Sequence, residues 1–374
     1  MTEKTTPATP VSVGPKRRHV LALAMAPVLG GATRALAAEP TVVRYVSAFP
    51  VLSLVVANQT SLPRHLGYYE EEGVKVEFAL SAAGGTTGAV QLVASGDQDI
   101  GSGSMSPVLS RAALGQDMGI VFFYNQLREF NTHVGVNPAS GIKTMAELKG
   151  KLVGVPTLAG EGTLVARYIA REAGLDADKD LRFIAVGVGA QALHALKTNQ
   201  VAALVMTSGN FAQMETLGFT FTNLPLPPSA RGLFGPGLFA RRDFIQKNRK
   251  AVIGVARAVA KSTLFLITNP EAAIRIHWKL YPEQVPQGIP PEQALRDALH
   301  VLKAQAEGLN FAEGDKTRQW GTYTPQSWVK FVDYLNLSDK LKDPSPYFTN
   351  ELAAEVNAFD RQKVISQAQN FRMA

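Results

Sequence analysis

The stretch Lys75-Val76-Glu77-Phe78-Ala79-Leu80, then Gly84-Gly85-Thr86-Thr87, then Leu92-Val93-Ala94-Ser95-Gly96-Asp97-Gln98-Asp99-Ile100-Gly101 decides the fold class. Its first six residues alternate with period two, which predicts a strand. The glycine pair followed by threonines predicts a turn whose hydroxyls cap a helix, and Gly96 stops that helix after Ser95. Asp99-Ile100-Gly101 then predicts a short second strand. Strand, helix and strand in so few residues is the signature of a parallel sheet with helical crossovers.

The same grammar extends in both directions. Upstream, Val42-Val43-Arg44-Tyr45-Val46 reads as a strand ending in the loop Ala48-Phe49-Pro50, with helix to Ser61 and a short turn of helix at 67–73. Downstream, Ser106-Pro107 predicts an N-cap with proline at the first helical position, and 119–124 a buried strand. The pattern then restarts. Strands are predicted at 132–136, 151–156, 182–188 and 201–206, a capping box at Thr144-Met145-Ala146-Glu147, and a second glycine turn at Gly160-Glu161-Gly162-Thr163 opening a helix over 164–173. The Pro/Gly-rich stretch 224–236 reads as a crossing back. Beyond it, helices are predicted at 244–268, 271–281, 292–307 and 325–335, the last with Trp328, Phe331, Val332 and Leu335 on one face.

The expected fold class is therefore α/β with two lobes, each a mainly parallel sheet flanked by helices. The expected divisions are a leader over 1–37, lobe 1 over 41–128 plus 236–374, and lobe 2 over 129–235. A chain of 374 residues, 46% hydrophobic and 18% charged, is long enough for two cores and too apolar for disorder. The absence of cysteine excludes disulfides, thiolate metal sites, a cysteine nucleophile and a lipidated N-terminus. Net charge is +7, but Lys4, Lys16, Arg17, Arg18 and Arg34 against Glu3 place +4 of it in the leader, so no nucleic-acid partner is expected.

Lys16-Arg17-Arg18, the apolar run Val20 to Ala32 and the small-x-small site Ala35-Leu36-Ala37 read as an export signal. Thirteen apolar residues span roughly 20 Å as helix, short of a bilayer core. The paired arginines fit a twin-arginine signal, although Lys16 and Val20 depart from its pattern, and they fit a general secretory leader equally. Arg257 and Lys261 interrupt the other long apolar stretch, Ala251 to Ile267, so a soluble periplasmic protein is expected.

Motifs for chemistry are few. Gly187-Val188-Gly189-Ala190-Gln191-Ala192 imitates a dinucleotide fingerprint, but Thr207 stands where the acidic residue belongs. The six histidines, His19, His65, His133, His194, His277 and His300, lack the spacing of a metal site. No catalytic residue, metal or cofactor is expected. In open parallel sheets, ligands lie beyond the strands' carboxyl ends, where helix N-termini offer backbone N–H groups. The expected ligand-binding residues are those at such places: Phe49; Gly85, Thr86 and Thr87; Ser104 and Met105; Tyr124 and Asn125; Gly160, Glu161, Gly162 and Thr163; and Thr207. Thr86 and Thr87 also suit plain caps, Phe49, Tyr124 and Met105 suit core positions, and Glu161 is expected to complement its helix dipole while pointing to solvent.

Three strings carry a resemblance: Gly67-Tyr68-Tyr69-Glu70-Glu71-Glu72-Gly73-Val74-Lys75-Val76, the 92–101 stretch quoted above, and Gly141-Ile142-Lys143 through Glu147-Leu148-Lys149-Gly150-Lys151 to Gly154-Val155-Pro156. Their order resembles the periplasmic substrate-binding proteins of ABC importers of the nitrate/sulfonate/taurine type, a group that includes binders of thiamine-pyrimidine precursors. The resemblance implies a ligand cleft between the lobes and membrane permease and ATPase partners; the helix N-termini at that cleft predict a small anionic or polar heteroaromatic solute, and a monomer is expected. It also leaves open a pyrimidine-precursor binder, or a synthase-like enzyme on the same fold.

Overall fold

Among the described residues ten strands form two five-stranded sheets, and the order of strands explains how one chain builds both. The computed structural model describes residues 39–373 apart from 50, 82–84, 130, 159–160, 231 and 312–317. The leader over 1–37 and Gly160 lie outside the described residues.

The first sheet holds β1 (Thr41–Ser47), β2 (Val74–Leu80), β3 (Ile100–Gly103), β4 (Ile120–Asn125) and β10 (Gly237–Arg241), in the order β2-β1-β3-β10-β4. β1 runs parallel to β2 and β3, while β10 runs antiparallel to β3 and β4. The second sheet holds β5 (Thr132–Val136), β6 (Leu152–Val155), β7 (Arg182–Ala185), β8 (Ala203–Thr207) and β9 (Thr222–Asn223), in the order β7-β6-β8-β5-β9. β6 is parallel to β7 and β8; β5 is antiparallel to β8 and β9. Both sheets are thus mixed, each with a parallel core extended by strands of opposite sense.

β10 is absent from the sequence expectation, which passes from the crossing at 224–236 to helix at 244. Its signal, Leu238-Phe239-Ala240, is only three apolar residues long, and a third strand already in place supplies what such a run lacks alone. Gly101 of β3 lies opposite Phe239, and a Cβ there would come within 2.4 Å of the Phe239 ring. The glycine on β3 is what lets β10 bring an aromatic ring into this face.

Several helix starts differ from expectation for one physical reason: the capping side chains have better partners elsewhere. Helix Gly85–Ser95 begins at the glycine itself, and the Thr86 hydroxyl accepts from the Ser104 N–H at 3.4 Å. Helix Ser106–Ala112 has no side-chain cap, because the Ser106 hydroxyl turns towards Ser104 and Glu161. The expected capping box at Thr144 is a 3-10 turn over Ala146–Leu148, in which the Glu147 carboxylate accepts from the Lys143 N–H at 2.9 Å. Those backbone donors hold Glu147 below the usual carboxylate range.

Helix Arg249–Thr268, long and apolar enough to cross a membrane, is mostly buried against the outer face of the first sheet. Its two interrupting cations are matched. Lys261 Nζ lies 2.7 Å from Glu72 and 3.0 Å from Glu71, and Arg257 lies 2.6 Å from Glu72. Helix Pro325–Tyr334 buries Trp328, Phe331 and Val332 as its stripe predicts, against Phe122, Phe239 and Phe234. The helix that opens second-sheet crossover β6–β7, Glu161–Glu172, meets this C-terminal helix edge-on through Tyr168 and Tyr334 at 5.4 Å.

Candidate functional site

The turns after β3 and β6 meet where the two sheets approach. Ser106 follows β3 and Glu161 follows β6. The Ser106 hydroxyl lies 3.1 Å from each Glu161 carboxylate oxygen, and the Tyr334 hydroxyl donates to Glu161 Oε1 at 2.6 Å. Ser104 Oγ supports Ser106 through its hydroxyl at 2.9 Å and its N–H at 3.2 Å. The expectation that Glu161 points to solvent is therefore wrong. Its helix starts one turn earlier than predicted, which turns the side chain inward to meet Ser106. Burial raises the Glu161 pKa, and hydrogen bonds from Tyr334, Ser106 and Ser104 only temper the rise. Burial and the Glu161 charge drive the Tyr334 phenol far above its ordinary value.

A second polar group lies at the carboxyl ends of β1, β3 and β4. The Tyr45 hydroxyl donates to Gln59 Oε1 and the Tyr69 hydroxyl to the Gln59 carbonyl, both at 2.6 Å. Asn58 Nδ2 donates to Thr263 Oγ1 at 2.9 Å. Asn125 donates to the Thr322 carbonyl at 3.2 Å. Three atoms in this region are buried without a hydrogen-bond partner: Ser102 Oγ, Asn125 Oδ1 and Gln126 Nε2. A buried polar atom left unpaired costs about 1–3 kcal/mol, so three at or just beyond the ends of β3 and β4, two of them facing the Tyr45 hydroxyl, call for an explanation.

The other expected residues divide by placement. Met105 is fully buried in the core with Val46 and Phe122, and Tyr124 is buried with its ring over Gly321. Both side chains are packed into the core, the position the sequence also allowed for them. Thr207 caps helix Ser208–Glu215 by accepting from the Asn210 N–H, and Thr163 donates to the Thr157 carbonyl at 2.8 Å. Thr87 is exposed, whereas Phe49, Gly85, Thr86 and Gly162 are half-buried at their turns. Gln126, Gln59, Ser102 and Tyr334 are missing from the expected set. The amide pair Asn125-Gln126 at a strand end is a usable signal for the first. Tyr334 has none, since 173 residues separate it from Glu161.

Two Ser–His contacts bear on catalysis. His133 Nε2 lies 2.8 Å from Ser208 Oγ, but that hydroxyl donates to the Asn131 carbonyl, so the imidazole donates rather than accepts. Ser61 and His277, 2.9 Å apart, are both wholly buried, and the other ring nitrogen of His277 lies 3.1 Å from Gln284 Oε1. Neither has the geometry of an activated nucleophile. Among the described residues no group of three or more His, Cys, Asp or Glu is placed to hold a metal. An open groove of about 440 Å³ between Tyr168, Glu172, Ser229 and Pro325, Gln326, Val329 lies on the outer seam of two helices, away from the strand ends.

A family model described as NMT1/THI5 like matches residues 59–273. No curated protein matches the chain. Among solved structures, the periplasmic aliphatic sulphonate binding protein SsuA of Escherichia coli is similar at 18% identity and TM-score 0.57, over 81% of this chain and 88% of that one. The periplasmic nitrate-binding protein NrtA of Synechocystis PCC 6803 is similar at 16% identity and TM-score 0.51, over 88% of each. The desulfurization enzyme DSZB is similar at 13% identity and TM-score 0.52, over 84% of this chain and 98% of that one. Two mixed sheets flanked by helices are thus the fold of periplasmic binding proteins, and with more than half its length matched the chain belongs to the NMT1/THI5-like family.

Proposed function

We propose that the chain is the extracytoplasmic solute-binding subunit of an ABC importer, delivering a small polar heteroaromatic or anionic solute to a membrane permease and its ATPase. The carrying observation is the set of orphaned polar atoms at the carboxyl ends of β3 and β4. Ser102 Oγ, Asn125 Oδ1 and Gln126 Nε2 make no well-formed hydrogen bond, and Ser102 and Gln126 both face the Tyr45 hydroxyl, so together they offer donors and acceptors that are poorly paired within the chain. A solute that presents an acceptor beside a donor satisfies them, and a neutral or weakly charged heteroaromatic does so better than a bare inorganic anion. Lobe 1 would be 41–128 with 236–374 and lobe 2 would be 129–235, hinged at the two crossings and closing on the solute. The sulphonate- and nitrate-binding structures of this fold support the transport reading. The enzyme alternative draws on the desulfurization enzyme, but the chain has no cysteine and its two Ser–His contacts are engaged elsewhere.

The test is a thermal-shift and calorimetric panel of nitrate, alkanesulfonates, aromatic acids and pyrimidines. A true solute at a hundred times its Kd stabilises by about 2.7 kcal/mol, several degrees in Tm. The expected winner is a polar heteroaromatic or a small organic anion, recovered unchanged after long incubation; a converted product would install the enzyme reading instead. Export is tested separately. Intact mass of the periplasmic protein should be short by about 37 residues, the leader's length read from its cleavage motif. Full-length cytoplasmic protein would refute this, and replacing Arg17 and Arg18 by lysine should stall the twin-arginine route alone.

A further inference from the structure

Glu161 joins three parts of the molecule at one point. It stands on the second-sheet side, Ser104 and Ser106 on the first-sheet side, and Tyr334 on the C-terminal helix whose aromatic stripe is anchored to the first sheet. A movement that separates the sheets breaks the Ser106 hydrogen bonds to this carboxyl group, and the Tyr334 bond as well where the C-terminal helix stays with the first sheet. We propose that Glu161 is a latch between the two sheets, holding them together when protonated and releasing them when ionised, with no solute required.

The geometry satisfies the protonated form fully. Tyr334 donates to Oε1, the acid proton on Oε2 passes to Ser106 Oγ, and the Ser106 proton passes to Ser104 Oγ. The ionised form keeps two hydroxyl donors but gains no cation. From the turn after β3 only serines face it. From the C-terminal helix the titratable neighbour is Tyr334; Lys330, one turn back, faces the groove beside Tyr168 and Glu172 and does not act on Glu161, and Asp333 is held by Arg171 at 3.1 Å. On its own helix Tyr168 packs against Tyr334, Arg167 pairs with Asp178, and Glu172 lies 3.4 Å from Arg171. Among the described residues no charged group offsets the carboxylate. A desolvated, uncompensated charge is the costly state.

The sign follows. Opening returns Glu161 to water and its ordinary value of 4.5, while closure raises it. Closure therefore takes up a proton. The latch is strongest below the ordinary value and is lost as pH rises through the raised one, the open-to-closed ratio growing up to about tenfold per pH unit within that window.

The chain lacks cysteine, so a fluorophore pair can be placed by two substitutions. Leu80→Cys at the end of β2 and Val188→Cys beyond β7 are exposed and sit at the carboxyl ends of the two edge strands. Without solute, energy transfer should rise reversibly as pH falls from 8 to 4.5. Glu161→Gln, neutral at every pH, should stay closed throughout. Tyr334→Phe removes a donor that favours the ionised form, and should move the midpoint to higher pH while keeping the ring packed. A pH-independent distance in the parent, a full pH response in Glu161→Gln, or an unmoved midpoint in Tyr334→Phe would each overturn the latch. If Glu161→Gln does not fold, the Tyr334→Phe midpoint decides alone. The measurement uses no solute, so its failure leaves the transport reading standing, and a wrong solute class leaves the latch standing.

Discussion

Replacing Trp328 by alanine should destabilise the protein by about 3–5 kcal/mol and lower its Tm by roughly 10 °C. The ring is wholly buried. It stacks on Phe348 with centroids 4.8 Å apart, and lies 5.3 Å from both Phe234 and Tyr323 and 5.8 Å from Phe122. These partners come from β4, from the crossing before β10 and from the C-terminal region, so the cavity left by alanine opens at the junction of all three. Its indole N–H has no acceptor, which distinguishes packing from polarity. Trp328→Phe should therefore cost no more than about 1–2 kcal/mol, since it keeps most of the aromatic volume and removes an unpaired donor. Urea and thermal unfolding of the two variants check this. Equal losses in both would mean that the N–H, through a bound water, matters more than the ring. The loss should also reach the site, because the same helix presents Tyr334 to Glu161.

Trp328 is legible in the sequence as the centre of a helical stripe, and so are eight of the ten strands. Local patterns suffice where a segment's own periodicity states which face is buried. They fail at β10, whose three apolar residues gain a strand's conformation only by pairing with β3 and β4. They fail again at Ser106 and Thr86, where serine and threonine beside a helix start predict caps and the hydroxyls instead serve partners elsewhere. Glu161 is the clearest case. A glutamate in the first turn of a helix complements the dipole wherever it points, so sequence alone cannot distinguish an exposed one from one enclosed by Ser106 and a tyrosine 173 residues away. Strand ends, by contrast, are local, and the sequence places Asn125 correctly at one; its neighbour Gln126 is equally accessible to the same reasoning.

Gln126 provides the sharpest test of where a solute binds. Its Nε2 is buried with no well-formed hydrogen bond, only a poor approach to the Tyr45 hydroxyl, although its backbone N–H is satisfied by the Pro236 carbonyl at 3.1 Å. Without solute that poorly paired amide costs up to about 1 kcal/mol. A solute acceptor reaching it would convert the cost into a hydrogen bond in a site already stripped of water, where such a bond discriminates strongly. Gln126→Leu, similar in size and without polar atoms, should then pull stability and binding in opposite directions. The empty variant should be as stable as the parent or up to about 1 kcal/mol more so, while its affinity for the panel's best solute should fall about 10- to 100-fold. Thermal unfolding without solute and calorimetric titration with it read the two effects on one preparation. Undiminished affinity would remove β4's carboxyl end from the site. A stability loss above about 2 kcal/mol would make Gln126 a structural residue whose orphaned nitrogen is compensated by its other contacts, because a group retained for packing has no reason to weaken binding while sparing the fold.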